Sequence, residues 1–539
     1  MKRTQGTWMM WVVSAVVAVA WLAPAALAEA PKADENPAAP AAAATPATPA
    51  APASTLPPVP IAPPFSPLPP PKSEEWLGLG SSIDDWMEKA KTPFPWLRWG
   101  ADMRLRDEFL HSAGLNNQTP RAKGGDEFNY QRYRPRWWAT IMPVQDFELN
   151  LRITWEGRHY SESDHQPTTI YPTWVQGGVL VDTANVKLKN VGGMPLTMTL
   201  GRQDIILGDG WLVLDGTPND GSRTSYFDAA RFTYEIAKIQ TSVDAIFIDQ
   251  KADGGAIIPQ LLKDNRGARF ADTIEQDERG FILWLSNRSL KNTEINGYYM
   301  YKDSESGLHN AKPLANGDTG YVHAFGARIA GMLDDHWRYR AEGAFEFGRL
   351  AGPEGSTAGG PMPFRERRLS AFGFNSEIAY LFKDTFSNEA RLQYEYLSGD
   401  DAKTPGTNEG FVLLWGRWPR FSEALGYQFP TTGEGRAYDI TNYHRLAPGW
   451  SFKPCDRILI STDLHFLFAP ENPLGFQQGK GFSENGSYRG ELLTCLQQVT
   501  LNKHVKAHLL EEFFFPGNYY AAPRDNMEAF LRGEIVFTW

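Results

Sequence analysis

FELNLRITWEGR, residues 147–158, decides the fold. Phe147, Leu149, Leu151, Ile153 and Trp155 alternate with Glu148, Asn150, Arg152, Thr154 and Glu156. Successive side chains of a strand point to opposite faces, so one face here is apolar and the other charged. Two architectures use such a strand. A soluble sheet lays the apolar face on a core, and a membrane barrel lays it on lipid with the charged face toward a wet lumen.

The pattern recurs along the chain. In WLRWGADMRLR, Trp99, Ala101, Met103 and Leu105 oppose Arg98, Asp102, Arg104 and Arg106. RYRPRWWATI, WRYRAEGAFEFG, NEARLQYEYL and RILISTDLHFLF repeat it, and helical spacing would scatter their charges around the axis. Strands are expected near 97–109, 129–142, 146–159, 174–189, 194–206, 223–236, 239–250, 279–288 and 293–303. Others follow near 319–332, 337–349, 366–383, 387–399, 434–452, 456–468, 486–500, 504–515 and 525–539. The connections alternate strictly between long and tight. That is the asymmetry of a transmembrane antiparallel β-barrel of about 18 strands, with short periplasmic turns and long extracellular loops. A soluble sandwich gives no reason for it. The closing stretch, MEAFLRGEIVFTW, is one more amphipathic strand ending on Trp539 and resembles the insertion signal of bacterial outer-membrane proteins. Phe147, Leu149, Leu151, Ile153 and Trp155 are therefore expected on lipid. The reverse assignment would place arginines in hydrocarbon at ~2–4 kcal/mol each near the midplane.

The ends of the chain fit this compartment. Lys2 and Arg3, an apolar run and Ala26-Leu27-Ala28 read as a secretory signal over residues 1–28. Residues 29–72 are a Pro/Ala-rich disordered linker, extended at about 3.1 Å per residue. Residues 73–94 form a short periplasmic segment with a possible helix starting near Ser82, and residues 95–539 are the outer-membrane barrel. The expected location is the outer membrane of a Gram-negative-type bacterium. The formal charge of −10 argues against a nucleic-acid partner. Cys455 and Cys495 make no framework and are not expected to bridge.

A barrel of this size leaves an aqueous channel unless loops fill it. By parity the lumen receives Arg98, Arg104, Arg106, Arg132, Arg134, Arg136, Arg152, Arg158, Arg231, Arg338, Arg340, Arg391, Arg457, Arg489 and Arg532. Glu148, Glu342, Glu389, Glu395, Glu491 and Glu534 are interspersed. Guanidinium matches carboxylates in a bidentate fork, so such a ladder suits an anionic saccharide or an organic acid. The competing reading is that arginines and glutamates satisfy one another across strands inside a filled barrel. Arg132, Arg134 and Arg136, with few acids nearby in sequence, are favoured as the ligand path.

LGRQDIILGDGWLVLDG (residues 200–216), YEYLSGDD (394–401) and the C-terminal pattern from RGELLTCLQQVTLNKHVKAHLLEEFFFPGNYY onward resemble the alginate export family of outer-membrane porins. The resemblance implies an eighteen-stranded barrel whose arginine-lined pore conducts polyuronate. It adds Arg202, in GRQ, to the pathway, with a bulge at Gly201 needed to turn it inward. Outer-membrane lipid, the barrel-assembly machinery and a possible periplasmic export partner complete the expected partners. The solute, its direction of transport and the oligomeric state are left open. GRWPRFSEALGY, in the loop near 400–433, is expected to fold inward and narrow the pore. Asp209, Asp215 and Asp220 form a Gly/Asp-rich turn without EF-hand spacing, better read as a turn than as a calcium site. An enzyme is the rival class. The chain holds no G-x-S-x-G, H-E-x-x-H or P-loop, so neither a catalytic residue, a metal nor a cofactor is expected. His465 and His508, both expected to face inward, make a weak catalytic pair. A plugged structural or adhesive barrel is the remaining alternative.

Overall fold

The structure, a computed structural model, describes residues 81–112, 114–115, 127–161, 174–214, 227–251, 258, 277–305, 308–309, 312–313, 319–353, 364–401, 403–416, 420–432, 441–472 and 481–539. The expected signal peptide and linker lie outside them.

Alternating apolar and polar residues lay down the first nine strands as β1 (Leu97–His111), β2 (Phe128–Ile141), β3 (Phe147–Tyr160), β4 (Trp174–Leu188), β5 (Leu196–Gln203), β6 (Phe227–Ile236), β7 (Thr241–Gln250), β8 (Asp277–Asn287) and β9 (Thr293–Glu305). The second nine are β10 (Thr319–Met332), β11 (Trp337–Pro353), β12 (Phe364–Leu381), β13 (Glu389–Leu397), β14 (Tyr443–Cys455), β15 (Ile458–Phe468), β16 (Tyr488–Thr500), β17 (Val505–Pro516) and β18 (Glu528–Thr538). Each pairs antiparallel with its sequence neighbours, and β18 closes on β1 from Asp102↔Thr538 to His111↔Ala529. The barrel thus has eighteen strands and no free edge. Every expected strand is present. The largest offset is β14, which starts at Tyr443 rather than near 434.

Connection lengths follow the expected parity. Asp456–Arg457 join β14 to β15, whereas residues 398–442 separate β13 from β14. Helix α1 (Ser81–Lys91) lies at the tight-turn end, where the Trp99 indole donates to the Ala90 carbonyl at 2.7 Å and Trp86 meets Trp539 edge-on. Cys455 and Cys495 are free and sit on β14 and β16, with β15 between them.

Side-chain exposure answers the question posed by β3. Leu149 and Leu151 are exposed on the outer face, while Thr154 and Glu156 are buried inside. Exposed aromatics form two girdles. Trp96, Trp337, Phe382 and Trp450 lie near the turns, and Trp174, Tyr321, Phe347, Phe372 and Phe515 near the long loops. Trp337 and Phe347 on β11 are separated by about 24 Å along the axis, at ~3.4 Å per residue and a ~45° tilt, which matches the apolar band of a bilayer-spanning barrel. Leu151→Arg is expected to destabilise the barrel by ~2–4 kcal/mol in urea unfolding from vesicles, with Asn150→Arg, on the lumen side, nearly neutral. Equal costs would contradict the assignment of faces.

Candidate solute pathway

Six arginines crowd the inner face of β18, β1, β2 and β3. The register sets like charges directly opposite one another, Arg104 with Arg134, Arg106 with Arg132, and Arg132 with Arg158. Such pairs repel unless acids stand between them. Glutamates do so. Arg132 Nη1 donates to both oxygens of Glu108 at 3.1–3.2 Å, Arg104 Nη2 to Glu156 at 3.2 Å and Arg106 Nε to Glu534 at 2.7 Å. Arg158 Nε reaches Glu156 at 3.1 Å, and Arg532 pairs with Glu423 at 2.9 Å. Five of these guanidiniums thus share Glu108, Glu156, Glu534 and Glu423. Beside it, Arg136 Nε donates to Asp102 at 3.0 Å. Arg132, Arg134 and Arg136 have few acids near them in sequence, and the acids that Arg132 and Arg136 meet come from adjacent strands. Arg134 is buried among these arginines.

The wall from β10 to β15 is built the same way. Arg338 pairs with Glu389 at 2.7 Å and Glu377 at 3.3 Å, Arg340 with Glu377 at 3.2 Å, and Arg391 with Asp463 at 2.7 Å. Arg445 lies 3.4 Å from Glu395 and 4.4 Å from the centre of the Phe421 ring.

Two loops enter the lumen between these walls. In the first, Gly208 (φ +56°) and Gly210 (φ +74°) take left-handed conformations that favour glycine, closing a turn with Gly210 N–H on the Leu207 carbonyl at 2.9 Å. The turn presents Asp209 to Arg328, with Nη2 at 2.9 Å and Nε at 3.3 Å, and to Arg340 Nη1 at 3.2 Å. Burial works to raise the Asp209 pKa, but Arg340 and Arg328 outweigh it and hold the group below the ordinary aspartate value. Its backbone carbonyl accepts from Arg420 on the second loop. Trp211 stacks on Phe411 at 5.4 Å, and its indole donates to Glu395 at 3.0 Å. Ile205, Leu207, Leu212 and Val213 join Leu413, Leu414 and Trp415 in one buried apolar cluster with Ile246, Ile282, Trp284 and Met300 of the wall.

The second loop then crosses toward β17. There helix α2 (Ala424–Thr432) points its N-terminus at Glu512, which accepts from the backbone N–H groups of Glu423 at 3.0 Å and Ala424 at 2.9 Å and from the Ser422 hydroxyl at 2.7 Å. A carboxylate is well placed there, where unpaired N–H groups carry partial positive charge. Phe421 to Phe429 therefore fold inward, as the loop was expected to do.

The periplasmic half keeps a polar cavity of about 730 Å³ between β2 and β6. Arg136, Arg152, Lys187 and Arg231 line it against one carboxylate, Asp204. Thr140, Asn150, Thr183, Asn185, Thr197, Thr199 and Thr233 supply hydroxyls and amides. Arg152 is fully engaged, with Asp182 at 2.8 Å and Asp204 at 2.7 and 2.8 Å. Arg231 gives only Nε to Asp244, at 2.7 Å. Its Nη groups, like the Lys187 ammonium, have no partner among the described residues.

The other expected arginines separate by position. Arg98 is exposed at the turn end of β1 on the lumen side, and Arg457 lies in the Asp456–Arg457 turn rather than on a strand. Arg489 is buried near the outer end against the Tyr519 and Phe429 rings, with Nη1 3.2 Å from the Tyr520 hydroxyl. Arg202 does not reach the lumen. The register between β4, β5 and β6 runs unbroken through Gly201, so the expected bulge is missing. Phe227 and Ala229 pack on the lumenal cluster, which puts Asp228 between them, and Arg202 beside it, on the outer face. Arg202 holds Asp228 at 2.8 and 3.0 Å and the Val181 carbonyl at 2.8 Å, where β4 extends beyond its pairing with β5.

Arg328, Arg445 and Lys302 were missed. Arg328 alternates cleanly with Ala327 and Ile329 and was legible, whereas Pro448 and Gly449 obscure the parity around Arg445. His465 contacts Arg445 at 3.1 Å and His508 contacts Arg532 at 3.1 Å, so each is tied to an arginine rather than to the other. Asp209 is taken up by arginines, and Asp215 and Asp220 lie outside the described residues.

Residues 95–527 match the protein family described as Alginate export. Among solved structures, OccAB1 of Acinetobacter baumannii shares 10% identity over 82% of this chain and 96% of its own, with a TM-score of 0.49. OccAB2 of the same organism shares 8% over 82% and 98%, with a TM-score of 0.47. OprB of Pseudomonas putida shares 9% over 85% and 97%, with a TM-score of 0.42. No curated protein matches the chain.

Proposed function

The chain belongs to the alginate export family, and from that premise we propose that this channel of the Gram-negative outer membrane passes an anionic, alginate-like polyuronate loaded from the periplasmic end. The observation that carries this is the lining of the periplasmic cavity, four cations against one carboxylate among a row of hydroxyls and amides. Asp102, Asp182 and Asp244 hold the arginines, and the Arg231 Nη groups and Lys187 remain for a solute carboxylate. The threonines and asparagines match the hydroxyls of a sugar acid. A neutral sugar would leave Lys187 and the Arg231 Nη groups without a carboxylate, and a cation would meet them with like charge. Arginine pairs spread along both walls favour passage over trapping, because no single site holds the polymer alone.

Arg231→Gln with Lys187→Gln is expected to raise the half-blocking concentration of oligogalacturonate in planar bilayers about tenfold, while a neutral maltooligosaccharide acts equally on both proteins. Unchanged block by the uronate would remove this cavity from the pathway. The apolar loop cluster in the outer half supports a second reading, a permanently closed structural barrel, which passes no ions with or without the polymer.

A further inference from the structure

A row of outward-facing side chains crosses the long-loop ends of β7 to β12. The register aligns Asp249, Arg279, Asp303, Tyr321, Arg349 and Arg368. The first half of the row balances itself, because Arg279 stands between Asp249 and Asp303. The last two positions do not. Arg349 on β11 and Arg368 on β12 are directly opposite each other with no acid between them, and like charges so placed repel. Arg349 Nη1 reaches Glu366 at 3.2 Å, but these side chains are 54% and 56% exposed, and a pair so open to water adds little. The Arg368 guanidinium, also exposed, has no partner among the described residues.

Depth decides what meets them. On β11, Arg349 lies two residues beyond Phe347 of the outer aromatic girdle, about 5 Å farther from the membrane centre at ~3.4 Å per residue and a ~45° tilt. On β12, Arg368 lies four residues beyond Phe372, about 10 Å by the same geometry. Headgroups extend about 5–8 Å past the hydrocarbon core, so the two long side chains reach into that layer. Phe345, Phe347 and Phe372 form an exposed apolar face directly beneath them. Both arginines point away from the lumen, so a solute inside the channel does not touch them.

We propose that Arg349 and Arg368 bind a phosphate of lipid A, the phosphorylated saccharolipid of the outer leaflet, whose acyl chains lie on Phe345, Phe347 and Phe372. A guanidinium forks two oxygens of a phosphate, and two guanidiniums facing each other share one phosphate between them. The bound anion also removes their mutual repulsion. Charge and depth together choose the lipid, because the apolar face continues downward from the cations into hydrocarbon. The site stands whatever the channel carries.

The test counts lipid on the intact chain. Native mass spectrometry from detergent micelles compares hexa-acylated lipid A carrying two phosphates with the same lipid stripped of both. The phosphorylated lipid is expected to bind about tenfold more tightly. Arg349→Gln with Arg368→Gln should abolish that preference. Arg349→Lys with Arg368→Lys should keep part of it, since the charges remain while the fork is lost. Arg279→Gln, from the balanced half of the row, should keep all of it. Inorganic phosphate should leave the lipid bound. Equal binding of the two lipids by the intact chain, or a preference that the double glutamine variant retains, overturns the inference. Displacement of the lipid by inorganic phosphate overturns the lipid assignment in favour of a free anion.

Discussion

Deletion of residues 405–430 is expected to raise single-channel conductance severalfold. The segment carries Phe411, Leu413, Leu414 and Trp415, which pack on Trp211 and Leu212, and it includes Arg420 and most of α2. Without it the second obstruction is gone, and the first loop loses its apolar partner and the Arg420 contact to Asp209 while keeping Arg328 and Arg340. An eighteen-stranded barrel without lumenal loops encloses an aqueous channel. The wall itself survives, because each strand keeps both neighbours and closure at β18–β1 is untouched. Planar-bilayer recording checks this, and conductance equal to that of the intact protein would take the loop out of the pathway.

The second large effect concerns stability. Glu108→Gln is expected to cost about 3–5 kcal/mol, because breaking a buried ion pair leaves an uncompensated charge. Glu108 is 1% exposed, accepts from Arg132 at 3.1 and 3.2 Å and from Arg106 at 3.2 Å, and lies 3.9 Å from Arg532. Its neutralisation takes a shared carboxylate away from Arg106, Arg132 and Arg532 at once. Arg132→Gln in the same chain should return part of the loss, a coupling that urea unfolding of the single and double variants measures directly. Additive costs would show that the two groups do not act as a pair.

The wall of the barrel was legible because its physics is local. A period of two needs only neighbouring residues, and the parity of long and short connections needs only their lengths. Leu149, Leu151, Thr154 and Glu156 accordingly stand where alternation puts them. Charge pairing was not legible. Arg132 looks isolated in RYRPRWW, yet its acids are Glu108 and Glu156, one strand away on either side. Arg202 shows the limit of the resemblance, since the motif points to a pore residue while the backbone keeps its alternation and sends the side chain outward. The lumenal loops left a signal that composition alone could have raised. WLVL at 211–214 and FVLLW at 411–415 are apolar runs in connections that would otherwise face water, and such runs need a partner. What they meet depends on contacts between segments some two hundred residues apart, which no local pattern encodes.

The central claim is that the lumen selects anions. The most direct test is the reversal potential of the purified protein in a planar bilayer under a potassium chloride gradient, recorded for the intact chain and for the form lacking residues 405–430. A potential displaced toward the chloride equilibrium value in both is the predicted result. A potential displaced toward the potassium value would contradict the account.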